Sequence, residues 1–149
     1  MSFCRQAALL GQLALAGPLV AQGKPGHLYH INYYQVTQGQ EERYDSALAH
    51  VVAPVLTELV KRKGAVSYLL LTKIAGSGDY TNIVMVEVAR NTAAEGVFQR
   101  DLDAASQAVL HRTWDEATAK FPELRRFVHA EEYAVAGQGG VEGKPATSR

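Results

Sequence analysis

The sequence predicts an α+β domain whose elements run β-α-β-β-α-β. Three observations carry this. Two stretches near opposite ends, residues 27–36 and 126–135, alternate with a period of two. A long run of apolar residues at helical spacing follows the first of them. Between them, two runs rich in β-branched residues flank Gly76-Ser77-Gly78-Asp79 and read as an antiparallel hairpin. A chain of 149 residues, 47% of them hydrophobic, has material for one cored domain and hardly for two. That domain is expected over residues 26–136.

In the first strand Leu28, His30, Asn32, Tyr34 and Val36 share one face, and Tyr29, Ile31, Tyr33 and Gln35 share the other. Thr37 and Gln40 stand at capping-box spacing, and Glu41 and Glu42 suit the positive end of a helix. Tyr44, Leu48, Val51, Val52, Val55, Leu59 and Val60 then repeat at helical spacing up to Lys61-Arg62-Lys63, with Gly64 as the stop. Pro54 lies inside that run and leaves the carbonyl of His50 without its amide partner, so a kink or break is expected there. The hairpin spans Ala65 to Ile74 and Tyr80 to Val88. Asn91 or Thr92, with Glu95, opens a second helical region that breaks near Asp101 to Asp103, continues to Lys120, and ends at Phe121-Pro122. In the last strand Phe127, His129, Glu131 and Tyr133 alternate with Val128, Ala130, Glu132 and Ala134. Residues 137–149, rich in glycine and proline without a large aromatic, read as a disordered tail.

This order is the split βαβ pattern of ferredoxin-like folds, a four-stranded antiparallel sheet in the order 4-1-3-2 with helices on one face. Two helices cover only one face, and the other carries aromatic and aliphatic groups that need shielding. A second copy of the sheet would supply it.

Residues 1–21 read as a signal peptide. Arg5 is the only charge before an apolar run from Ala7 to Val20 interrupted by Gln12, and no acid precedes Glu41. Cleavage fits between Ala21 and Gln22, or after Ala16. The run is shorter than the roughly 20 residues a membrane span needs and contains Gly11, Gly17 and Pro18, so the mature chain is expected in the periplasm or outside the cell, away from the membrane. Cys4, the single cysteine, lies in this leader. The mature chain then has no disulfide, thiolate nucleophile or sulfur-ligated metal, and a cysteine ahead of the apolar run is misplaced for lipid attachment. Fifteen basic and fifteen acidic residues balance. The basic ones are scattered, which argues against a nucleic-acid partner.

The first strand "HINYYQV" with the helix "TQGQEERYDSALAHVVAPVLTELV", the hairpin "YLLLTKIAGSGDYTNIVMVEV" and the last strand "FVHAEEYAV" together resemble the dimeric α/β-barrel superfamily. That superfamily includes antibiotic biosynthesis monooxygenase-like, EthD-like and NIPSNAP-like domains. The resemblance spans about Leu28 to Val135 and implies a homodimer joined sheet to sheet. It leaves the reaction open, because such members include cofactor-independent monooxygenases, haem-degrading enzymes and proteins without a known activity. Haem-degrading members join a first-strand Asn to a Trp and a His on the second helix. Asn32, Trp114 and His111 supply the residue types but in a different order and spacing, so haem chemistry is not carried over.

The candidate site gathers His30, Asn32 and Tyr34 from the first strand with His129, Glu131 and Tyr133 from the last, on one shared face. His30 or His129 would act as base, Glu131 would orient it, and Asn32, Tyr34, Tyr133 and Trp114 would hold a small, partly aromatic ligand. Such a site needs no cofactor. A divalent metal on His30, His129 and Glu131 is one alternative, and polar groups that merely satisfy one another in a non-catalytic homodimer are another. Trp114 also fits a role in closing the core. His50, beside Pro54, reads either as a pocket mouth or as a solvated helix position. Gly76-Ser77-Gly78 joins strands and so is a turn, not a phosphate cradle, and without a G-x-S-x-G elbow a nucleophilic hydrolase has no support.

Overall fold

The computed structural model describes residues 26–89 and 96–134. The expected leader, the helix-opening residues Asn91, Thr92 and Glu95, and the tail from 137 lie outside those residues. β1 (His27–Val36) pairs antiparallel with β3 (Asn82–Ala89) on one side and with β4 (Arg125–Ala134) on the other, and β2 (Ser67–Thr72) pairs with β3. The order β2-β3-β1-β4 is the expected one read from the other edge. The fold is ferredoxin-like.

β3 separates the two faces most clearly. Asn82, Val84, Val86 and Val88 are buried, whereas Ile83, Met85, Glu87 and Ala89 between them are only partly covered. Through the register His30↔Val86, Asn32↔Val84 and Tyr34↔Asn82, the even-numbered residues of β1 lie on the helix-covered side. There Tyr44, Val52, Val55, Leu59 and Val88 are fully buried, and a Val or Leu so buried contributes about 1.5–3 kcal/mol. Leu69, Leu71 and Tyr133, on the other face, remain 48%, 43% and 50% exposed.

The first helical segment runs as α1 (Glu41–Ala47), a π-helical turn (Leu48–Val52) and α2 (Ala53–Lys61). The irregularity expected at Pro54 takes this form: the Ala53 N–H reaches back five residues to the Leu48 carbonyl, and the widened turn accommodates a ring that would clash in an even α-helix. The expected capping box does not form. Gln40 is the N-cap without a side-chain cap bond; its Oε1 accepts from Arg43 Nη1 at 2.8 Å instead. At the far end the left-handed residue is Lys63, with φ 62°. Gly64 is required for a different reason, since a Cβ there would stand 2.5 Å from Leu59 Cδ1 and 3.1 Å from Asp101 Cβ.

The second helical region departs from expectation in two places. α3 (Val97–Leu110) passes Asp101 and Asp103 without a break. The chain breaks instead at His111, which takes φ 58° as the C-cap, and restarts at Thr113, whose hydroxyl accepts the Glu116 N–H while Glu116 accepts the Thr113 N–H. That capping box, T-x-x-E, is readable in the sequence. α4 (Trp114–Thr118) follows and is tied to α3 by the bond from Trp114 N to Asp103 Oδ1 at 3.0 Å. Phe121-Pro122 does not end the region but opens the single turn α5 (Phe121–Leu124), where a proline needs no amide partner. The hairpin loop is the expected turn, with Gly76 and Gly78 at φ 106° and 100° and Lys73 Nζ donating to the carbonyls of Ser77 and Gly78.

Gly64→Ala should lower unfolding free energy by about 1–3 kcal/mol, because Leu59 is fully buried and cannot swing away. An unchanged urea midpoint would contradict the close approach described here.

Candidate functional site

The ladder between β1 and β4 decides which of the expected site residues meet. Its register is His30↔Glu132, Ile31↔Glu131, Asn32↔Ala130 and Tyr33↔His129, with a bulge between Tyr33 and Tyr34 after which Tyr34 faces Phe127. Residues directly opposite share a face. His30, Asn32 and Tyr34 therefore lie under the helices, and His129, Glu131 and Tyr133 lie on the opposite side of the sheet. The single cluster expected from the sequence is divided in two. The His30, His129, Glu131 metal set is not assembled either, and among the described residues no group of three or more His, Cys, Asp or Glu stands close enough to hold an ion.

On the helix side, His30, Asn32, Tyr34 and Trp114 line one pocket of about 220 Å³ with Arg125 and Gln99 as further polar groups. Val84 and Val86 of β3 form its floor, and Val52 of the π turn, Leu56 of α2, and Phe98 and Leu102 of α3 form its walls. The His30 ring packs against Phe98 at 5.7 Å between centroids. His30 Nδ1 lies 2.9 Å from Glu132 Oε1. Glu132 is 67% exposed, so the pair adds little to stability, but a carboxylate at Nδ1 places the proton there and leaves Nε2 with its lone pair. His30 Nε2 is buried and has no hydrogen-bond partner among the described residues. An imidazole nitrogen in that condition is costly unless something else meets it.

Sequence reasoning assigns the orienting carboxylate to Glu131, one residue out of register, and misses Arg125. A two-residue period assigns each residue to one of two sets but does not say which set faces the helices, and the bulge switches sets within β4. Wider grooves of about 660 and 840 Å³ lie elsewhere on the surface, lined by both polar and apolar side chains. The first contains His50, which is exposed and bonded through Nδ1 to the Ser46 carbonyl at 2.9 Å. His111, exposed at its helix end, lies outside the pocket that holds Asn32 and Trp114.

The opposite face carries its own network. Glu131 Oε2 accepts from Tyr133 at 2.7 Å and from Tyr33 at 2.8 Å, and the Tyr33 ring stacks on His129 at 4.2 Å. Hydrogen bonds from Tyr133 and Tyr33 hold the Glu131 carboxyl below its usual range. The same bond to Glu131, then burial, pushes the Tyr33 phenol up to about 12. Beside it, Glu87 accepts from Ser67 and sits 2.6 Å from His27 Nδ1. Burial would raise the Glu87 carboxyl, but these bonds outweigh it and the net shift is downward.

No family model matches the chain, and no curated protein matches it in sequence. Solved structures do. HapK from Hahella chejuensis superposes with a TM-score of 0.53 at 13% identity, covering 78% of this chain and 99% of that one. That likeness is one of fold. SnoaB from Streptomyces nogalater, a cofactor-independent oxygenase, gives a TM-score of 0.47 at 14% identity over 79% of this chain and 99% of its own, too distant to carry an argument about chemistry.

The phenol network gives a signed pH dependence. With its folded value above the unfolded one, Tyr33 contributes stability that is complete below about pH 10 and is lost as pH rises toward 12. Ultraviolet titration should show one tyrosine ionising near pH 12, and Glu131→Gln should return it toward 10; an unchanged titration in that variant would contradict the assigned cause.

Proposed function

We propose that the chain binds a small, partly aromatic molecule in the pocket between sheet and helices and moves a proton on it without a cofactor. The observation that carries this reading is His30 Nε2, buried, without a hydrogen-bond partner among the described residues, on a ring that lines a pocket with an amide, a phenol and an indole. Glu132 at Nδ1 fixes the tautomer. In the step envisaged, Nε2 takes a proton from an acidic C–H or O–H of the ligand, leaving an imidazolium beside Glu132 and an enolate or phenolate in the pocket. The Asn32 amide and Tyr34 hydroxyl can donate hydrogen bonds to that anionic oxygen. The apolar lining from Val84, Val86, Leu56 and Leu102 keeps water from competing. Return of the proton to another atom completes a proton transfer, whereas reaction of the anion with dioxygen would give oxygenation.

Membership of the dimeric α/β-barrel superfamily, dimerisation and export belong to the same proposal. The element and strand order support the first. The uncovered aliphatic face with Leu69, Leu71 and Tyr133 supports a homodimer. The leader pattern of residues 1–21 supports work in the periplasm or outside the cell, and no helix among the described residues is long and apolar enough to cross a membrane.

Exchange of the acidic benzylic C–H of 2-tetralone in deuterium oxide, followed by proton NMR, reads the proposed step. The mature protein should speed it by about 10²–10⁴ over buffer. His30→Ala should return the rate to that of buffer, and Glu132→Gln should lower it about tenfold or more. His129→Ala, on the other face, should change nothing. Exchange that survives His30→Ala would remove His30 as the base.

A further inference from the structure

Arg125 is the polar residue of the pocket that proton transfer leaves without a task. It is the first residue of β4, and the preceding turn α5 sets it against three rings. Its guanidinium carbon lies 3.5 Å from the Tyr34 ring centroid, 4.8 Å from that of Phe121 and 5.4 Å from that of Tyr44. Nη1 donates to the Tyr44 hydroxyl at 2.8 Å. Tyr44 is fully buried, so this bond anchors the side chain to the core. Yet no carboxylate among the described residues pairs with Arg125, while its neighbour Arg126 is paired to Asp79 at 3.3 Å. A half-buried guanidinium held in place by rings, with most of its five N–H donors unpaired among the described residues, matches the two oxygens of a carboxylate.

We infer that the pocket's ligand is an aromatic acid whose carboxylate docks on Arg125 while its reacting end faces His30. This rests on the pocket reading above and names the class of molecule it takes. The two ends stand well apart. Arg125 covers Tyr34, four residues along β1 from His30, which is about 13 Å between their Cα atoms. A ring system with substituents at opposite ends spans the gap that remains between the two side chains, whereas a small carboxylate without a ring does not. The arrangement is polar in the matching sense: Arg125, the cation that lines the pocket, lies at one end, and Glu132, outside the lining, is already engaged by His30 at the other. A neutral ligand of the same shape would displace water from Arg125 without supplying an anion in its place.

Trp114 is the single tryptophan of the chain and lines this pocket, so its one indole N–H resonance reports occupancy. In titrations at pH 7, 6-hydroxy-2-naphthoate should shift that resonance and bind at least tenfold more tightly than its methyl ester, a difference of about 1.4 kcal/mol. Arg125→Gln should bring the ratio of acid to ester close to one, and Arg125→Lys should keep part of it. The ratio in the unaltered protein decides the matter even if a variant folds poorly. Equal affinity for acid and ester would overturn the inference and leave the pocket reading intact. A Trp114 resonance unmoved by either compound would overturn both.

Discussion

Strands from opposite ends of the domain, β1 and β4, share one antiparallel ladder, and its register decides which side chains meet under the helices. Because side chains alternate, a slip by one residue would exchange the whole helix-facing set of β4 for the solvent-facing one. The observed pairing sets Glu132 opposite His30 and Ala130 opposite Asn32, and it sends His129 and Glu131 to the far side. The bulge at Tyr33/Tyr34 then turns the start of β4, so that Phe127 and Arg125 fall on the helix side with Tyr34. Without the bulge, strict alternation would keep Phe127 and Arg125 with His129 on the far face, and the pocket would lose its cation.

The pocket so formed is expensive for a domain of this size. Among the described residues it leaves a buried imidazole nitrogen without a hydrogen-bond partner and a half-buried guanidinium without a carboxylate, in a layer that could have been closed with aliphatic side chains. Irregular backbone gathers around the same place. The π turn carries Val52 to the pocket wall, and the break at His111 lets α4 restart so that Trp114 lines the pocket. These deviations from regular structure, which converge on one cavity beside unsatisfied polar atoms, are the observations behind the proposed ligand. The polar network on the far face is different in kind, because there Glu131, Tyr33 and Tyr133 satisfy one another.

Much of the architecture is legible in the sequence because it depends on local pattern. The ends of β1 follow from unbroken alternation, the hairpin from two β-branched runs about a glycine loop, and the strand order from the sequence of elements. The irregularity before Pro54 follows from a missing N–H, though whether the helix kinks, stops or widens into a π turn depends on what packs against it. Relative placement is not legible in the same way. His30, Asn32, Tyr34 and Trp114 stand out in the sequence and do share a pocket, but alternation alone gives no register between strands some hundred residues apart, so Glu131 stands in for Glu132. Arg125 escapes notice because it sits at the junction of a proline-bearing turn and a strand, where neither helical nor strand periodicity marks a side chain as inward. The Thr113-Glu116 cap is present in the sequence and outweighs the helical continuity that suggests a longer helix.

Cross-strand backbone nuclear Overhauser contacts between β1 and β4 test this account at its root. Contacts joining His30 to Glu132 and Asn32 to Ala130, with an irregular step at Tyr33 and Tyr34, are the expected result. Contacts pairing His30 with Glu131 or Tyr133 in place of Glu132, with no irregular step, would dissolve the pocket as described and contradict the account.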